Sequence, residues 1–156
     1  MKYIAHRGNT NGVNPDLENK PGYIEQAIEK GFDVEIDVWK NGDQLYLGHD
    51  NPECKIQVDF LQKHKDRLWC HAKNIDVLEY LMSVGLHTFW HQEDNYTITS
   101  KGYIWAYPKF MANGILVMPE NNIDTEYILE NIHKIKGICS DQIQHYKNFL
   151  QSVPED

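Results

Sequence analysis

Three short polar clusters in this chain combine residue types that do chemistry together. Residues 3–9, Tyr-Ile-Ala-His-Arg-Gly-Asn, end an apolar run in a proton-transfer group, a fixed cation and a permissive glycine: His6, Arg7 and Gly8. The planar Arg7 guanidinium suits phosphate or carboxylate, and Gly8 lets the backbone turn sharply. Residues 33–39, Asp-Val-Glu-Ile-Asp-Val-Trp, place Glu35 and Asp37 two apart. A strand's period of two puts both acids on one face and Val34, Ile36 and Val38 on the other. Two neighbouring acids repel, so a strand that turns both inward calls for a cation. On that reasoning neutralising Asp37 is expected to abolish cation binding and leave folding unharmed. The third cluster, Leu-Gly-His-Asp at 47–50, sets a carboxylate beside His49, where it orients the ring or raises its basicity. Singly, each cluster has a purely structural reading: a hydrogen-bonded strand-end histidine, the solvated face of an edge strand, and an Asp50-Asn51-Pro52 turn. One anion-binding metal site accounts for all three together.

These residues must be positioned by an alternation of strands and helices. Residues 2–8 read as a strand, and 19–32 as a helix with apolar spacing at Tyr23, Ile24, Ala27 and Ile28 and a stop at Gly31. Residues 33–39 form a strand and 41–50 a hairpin return or short extra strand. Then follow a short helix at 58–66, a strand at 67–74, a helix at 75–85 and a strand at 86–93. Two strands at 103–108 and 114–120 leave little room between them for helices; a helix at 124–135, a strand at 136–141 and a helix at 142–152 close the chain. Because His6, Asp37, Lys73, His91 and Asp141 all fall at C-terminal strand ends, the expected fold is a compact, trimmed TIM-type (β/α) barrel in a single domain over residues 1–156. It must be trimmed, with fewer or shorter helices, since such barrels usually take about 250 residues.

Composition narrows the function classes. The formal net charge of -8 argues against a nucleic-acid surface. No apolar stretch is long enough to span a bilayer. Lys2 and the strand that follows it do not read as a signal peptide, and Cys54, Cys70 and Cys139 read as reduced thiols; a cytoplasmic protein is the expectation. Trp39 and Trp105 are candidates to wall a ligand pocket.

Ile4–Gly8, then Leu17-Glu18-Asn19, then 31–39 and 45–50, resemble in order and spacing the N-terminal signature of the glycerophosphodiester phosphodiesterase family. That family shares its site architecture with phosphatidylinositol-specific phospholipase C and sphingomyelinase D enzymes. The resemblance continues more weakly through 69–74 and 137–141. It implies a divalent-metal-dependent phosphodiester hydrolase acting on a small glycerophosphodiester-like molecule. Within it His6 and His49 are the acid/base pair, Glu35 and Asp37 bind metal, and Arg7 and Lys73 contact phosphate. Glu18 either binds metal or caps the first helix, and His91 either lines the pocket or belongs to a turn. Where the family carries a third metal-binding acid, two residues before the lysine, this chain has His71. Mg²⁺ or Ca²⁺ is the expected ion, with His71 shifting preference towards Mn²⁺ or Zn²⁺. Two alternatives stand beside hydrolysis: a non-catalytic phosphate-ester-binding barrel, and a lyase that forms a cyclic phosphate. The alcohol of the substrate and the oligomeric state are not encoded legibly.

Overall fold

In the computed structural model, which describes every residue except Lys109, Met111, Glu155 and Asp156, ten strands form one sheet. In chain order they are β1 (Lys2–His6), β2 (Asp33–Asn41), β3 (Gln44–Leu47), β4 (Cys54–Ile56), β5 (Leu68–Ala72), β6 (Thr88–Phe89), β7 (Tyr96–Ile98), β8 (Ile104–Ala106), β9 (Gly114–Val117) and β10 (Ile135–Ser140). The helices are α1 (Pro21–Glu29), α2 (Val58–Lys63), α3 (Ile75–Ser83), α4 (Thr125–Glu130) and α5 (Ile143–Ser152). The long strand β2 organises the sheet. On one edge it pairs in parallel with β1 over Asp33–Glu35, and then antiparallel with β3 over Val38–Asn41. Its other edge pairs in parallel with β5 over Val34–Val38. Beyond β1 the order runs β10, β9, β8 in parallel, followed by β7 antiparallel to β8.

The expected TIM-type (β/α) barrel does not form. The sheet is curled and mixed, a half-barrel. β2, β3 and β4 make an antiparallel meander, β7 runs against β8, and no helix separates β7, β8 and β9 among the described residues. Residues 107–113 link the parallel strands β8 and β9, too short a span for a helical crossover, which needs about a dozen residues. β6 is two residues long, and its only ladder among the described residues is with β5. The seam between β6 and β7 is crossed by single bonds, Ser100 N to Thr88 O at 2.8 Å and Thr97 Oγ1 to Trp90 O at 2.7 Å, rather than by a ladder. Among the described residues no helix is long and apolar enough to cross a membrane.

Two apolar layers flank the sheet. Val34, Ile36, Val38, Leu68, Cys70 and Ala72 pack with Ile24, Leu61, Val77, Leu81, Ile128 and Ile143 from the five helices. On the other face Ile4, Trp69, Phe89, Trp105, Ile115, Val117 and Cys139 form a separate cluster. There Phe89 and Trp69 lie 4.5 and 5.9 Å from Trp105 between ring centroids, contacts worth about 0.5–1.5 kcal/mol each beyond burial. One strand period further along, Ile4 gives way to His6, Trp69 to His71 and Cys139 to Asp141. The polar site is thus a layer stacked on an aromatic floor.

Candidate active site

β1 ends at His6 because β3 takes over that edge of β2. Arg7 then swings out with φ +55°, and Gly8 follows with φ +90°, where a Cβ would meet Tyr23 Cδ2 at 2.8 Å. The Gly8 position therefore excludes a side chain twice over, by backbone conformation and by space. At Gly48 (φ +154°) a Cβ would lie 1.9 Å from Asn51 O, so only glycine admits the tight loop that delivers His49. Trp39 Nε1 donates to Gly48 O at 2.6 Å and props the same loop.

One cavity of about 360 Å³ is lined by His6, Arg7, Glu18, Glu35, Asp37, His49, His71, His91 and Asp141 on its charged side. Eight of these nine were singled out in the sequence as site residues. Lys73 is held beside Asp37, Nζ to Oδ1 3.8 Å, and does not line the cavity.

Each imidazole has its proton placed by a neighbour of fixed role. The Asp141 carboxylate lies 2.7 Å from His6 Nδ1, so Nδ1 donates and Nε2 faces Glu35 Oε2 at 3.4 Å. Arg7 donates from one guanidinium nitrogen to His49 Nδ1 at 2.8 Å, which leaves the proton of a neutral His49 on Nε2. The His91 carbonyl accepts from His71 Nε2 at 2.9 Å, which turns His71 Nδ1 towards Asp37 Oδ1 at 3.2 Å. Phe89 stacks on the His71 ring at 4.9 Å and fixes its plane.

The two acids of β2 are held very differently. Asn19 clamps Asp37 by donating from Nδ2 to Oδ2 and accepting from Asp37 N, both at 3.0 Å. Arg7 Nε and His49 Nδ1 approach the same Oδ2 at 3.5 and 3.6 Å. Burial works to raise the Asp37 carboxyl, but the His49 and His71 rings beside it and the Asn19 hydrogen bond outweigh that and hold the group below the ordinary carboxylate range. Glu35 has no such support: its Oε1 is buried without a hydrogen-bond partner, and burial followed by the Asp37 charge raises its carboxyl. Burial opposes charge on His6 too, yet Glu35 and Asp141 prevail and raise the ring above its ordinary value.

Ligand atoms of Glu35, Asp37 and His71 lie within 4.8 Å of one another. The donor set, two carboxylates and one imidazole, is of a kind that holds a divalent cation, and one buried Glu35 oxygen has no hydrogen-bond partner. Glu18 stands outside this cluster. It accepts from Arg7 at 3.1 Å and from Asn14 N at 3.2 Å, and α1 begins after Lys20 with no side-chain cap. His91 both lines the cavity and bonds within its own turn, to Asp94 O.

Sequence reasoning gave no role to Asp141 or to Asn9, whose Nδ2 donates to Asp141 Oδ1 at 2.9 Å. A carboxylate at the end of the last strand was the available signal for Asp141. The far wall, Trp105, Tyr107, Val117, Met118 and Asn121, carried none beyond the tryptophan. Comparison with protein-family models, with curated proteins and with solved structures finds no match to this chain in any of the three.

Proposed function

We propose that this chain is a divalent-metal-dependent hydrolase of a small glycerophosphodiester-like molecule. The observation that carries this reading is the pairing, in one cavity, of two imidazoles of opposite proton placement with a compact Glu35, Asp37 and His71 donor set that has an unpartnered oxygen. His6, with Nδ1–H on Asp141, offers the Nε2 lone pair to take a proton from the attacking water. His49, with its Nε2–H free of Arg7, gives a proton to the departing alkoxide. Such positioned transfers contribute roughly 10²- to 10⁴-fold each. Arg7, steadied by Glu18, presents fixed positive charge where the phosphoryl oxygens gain negative charge. Glu35, Asp37 and His71 would hold the metal, which when bound neutralises charge on the phosphoryl group. The nitrogen donor of His71 moves the preferred ion from Mg²⁺ or Ca²⁺ towards Mn²⁺ or Zn²⁺.

A specific observation favours a second reading, a non-catalytic phosphate-ester-binding protein: Arg7 already serves Glu18 and His49, and Lys73 stands off the cavity. Phosphorus NMR of glycerophosphocholine incubated with the protein and Mg²⁺, Ca²⁺, Mn²⁺ or Zn²⁺ decides. A monoester product supports the hydrolase and a cyclic phosphate a lyase. Line broadening without product supports the binding protein, and no effect with any ion overturns the phosphate reading.

A further inference from the structure

Asp141, the carboxylate that holds His6, is gripped through both its side chain and its main chain. Oδ1 accepts from His6 Nδ1 at 2.7 Å and from Asn9 Nδ2 at 2.9 Å. The main-chain oxygen accepts from Gly12 N at 2.7 Å, and the main-chain N–H donates to Glu120 Oε1 at 3.0 Å. The same Glu120 oxygen accepts from the buried Ser140 hydroxyl at 2.8 Å, and Ser140 Oγ in turn accepts from Gln142 N at 2.8 Å. One oxygen of a residue 21 positions away therefore ties down the turn between β10 and α5 in which Asp141 lies. Glu120 reaches this place on unfavourable terms. It belongs to a single 3₁₀ turn, Pro119–Asn121, entered through Met118 at φ +49°, a left-handed conformation for a residue other than glycine. Its second oxygen, Oε2, is buried without a hydrogen-bond partner among the described residues. A turn that only closed the end of the sheet would need neither feature, and strain of this kind clusters at functional sites. Met118 and Asn121, on either side, line the cavity.

We infer that Glu120 is a positioning residue: by accepting the Asp141 N–H it fixes the carboxylate that sets the proton of His6 on Nδ1. Its effect on turnover rests on the hydrolase reading, whereas the contact itself is testable without turnover. Glu120 supplies the main-chain half of a clamp whose side-chain half is Asn9, oriented by the Tyr23 hydroxyl donating to Asn9 Oδ1 at 3.0 Å. Reach and an acceptor oxygen are what the role requires of Glu120, and its charge is incidental.

The test uses three substitutions in the full chain. Glu120→Gln keeps an oxygen at the acceptor position, Glu120→Asp keeps the charge but falls one methylene short, and Glu120→Ala removes both. Asp124→Ala, which deletes the α4 cap that accepts from Tyr127 N at 2.8 Å, controls for a general loss of stability. NMR of protein carrying isotope-labelled histidine reads the His6 Nδ1–H, assigned by its absence from His6→Gln. Wild type, Glu120→Gln and Asp124→Ala should show that proton protected from exchange with water, and Glu120→Asp and Glu120→Ala should lose it. A wild type without the signal overturns the inference, as does its persistence in Glu120→Asp and Glu120→Ala or its loss from Glu120→Gln. In diester turnover with Mn²⁺, Glu120→Asp and Glu120→Ala should lower kcat by roughly 10- to 100-fold with KM and Mn²⁺ affinity unchanged, the mark of misplacement rather than of lost binding. Glu120→Gln should retain most of the rate. An equal fall of kcat in Asp124→Ala overturns the positioning role. Absence of turnover by wild type with any ion overturns the hydrolase reading, and the NMR comparison then decides the clamp alone.

Discussion

Glu35 and Asp37 share a strand face, yet removing their charges should act in opposite directions on the metal-free protein. The Asp37 carboxylate is compensated by one Asn19 hydrogen bond and by approaches from Arg7, His49, His71 and Lys73 between 3.2 and 3.8 Å. Breaking a buried charge network typically costs about 3–5 kcal/mol. Asp37→Asn keeps a carbonyl oxygen for Asn19, which places the loss near the lower end, about 3 kcal/mol. At about 2–4 °C per kcal/mol for a domain of this size, Tm should drop by roughly 6–12 °C. The expectation drawn from like-charge repulsion alone, that neutralising Asp37 is harmless, is thereby replaced. Glu35→Gln removes a charge that burial already disfavours and should change stability by less than about 1 kcal/mol. The pH dependence follows the same division. Asp37, depressed in the fold, stabilises above its unfolded pKa, and the gap between wild type and Asp37→Asn closes as pH falls through the folded value. Glu35, raised in the fold, favours the folded protein below its unfolded pKa and loses that contribution as pH rises through the folded value, so Glu35→Gln compares best at neutral pH. Urea denaturation of the three proteins in EDTA, from pH 4 to pH 8, measures the stabilities and the Glu35 dependence, and the gap between wild type and Asp37→Asn should persist across that range. An Asp37→Asn variant as stable as wild type at neutral pH would refute the reasoning; both variants should lose metal binding by calorimetry.

Three further outcomes are expected. His71→Ala should weaken Mn²⁺ binding by at least about 10- to 100-fold, the cost of losing even an outer metal partner, and His71→Glu should shift calorimetric preference to Mg²⁺ or Ca²⁺. Gly48→Ala forces the 48–53 loop off Asn51 O, and should lower diester turnover through displacement of His49 while β2 and the metal affinity persist. His87, buried against Trp69 and bonded to Thr99 Oγ1 at 2.7 Å, has its pKa pushed down to about 4 by burial. It is neutral in the fold and takes up a proton on unfolding, so stability falls as pH drops from about 6.5 to about 4. His87→Gln should reduce that fall, as read from denaturation midpoints at pH 7 and pH 4.5.

The local pattern made most elements legible. Period-two alternation in β2 put Glu35 and Asp37 on one face, which the structure buries, and the helices fall where their apolar spacing places them. The closure of the sheet was not legible, because it depends on pairings between distant segments. Residues 86–93 have strand composition, yet only Thr88 and Phe89 find a ladder, since β5 offers them partners at Cys70 and His71 alone. Strands β4 and β7 are too short and too exposed to leave a periodic trace. Within the site, His6 and His49 were recognisable by type and placement. Asp141 acquires its role only because β10 lies beside β1, bringing residues 135 positions apart into hydrogen-bond contact. Lys73 follows the strand-end pattern as closely as His71 does, but its ammonium settles against Asp37 rather than in the cavity.

The main chain of β2 has a consequence of its own. Arg7 N donates to Glu35 O at 2.9 Å and Gly48 N to Asp37 O at 3.2 Å. The segments carrying His6 and His49 are therefore both pegged to one strand, two residues apart, at the positions whose side chains supply the acids. A strand rises about 3.3 Å per residue, so β2 serves as a ruler that spaces both imidazoles and the carboxylates at once. Tolerances set by a single ruler do not depend on sheet closure, and the constellation survives the opening of the barrel. They do depend on register. Inserting or deleting one residue between Glu35 and Asp37 would send one acid to the helix-covered face and change the spacing of the two histidines in the same step, so length variation should be admitted in the 107–113 link and forbidden in these three residues.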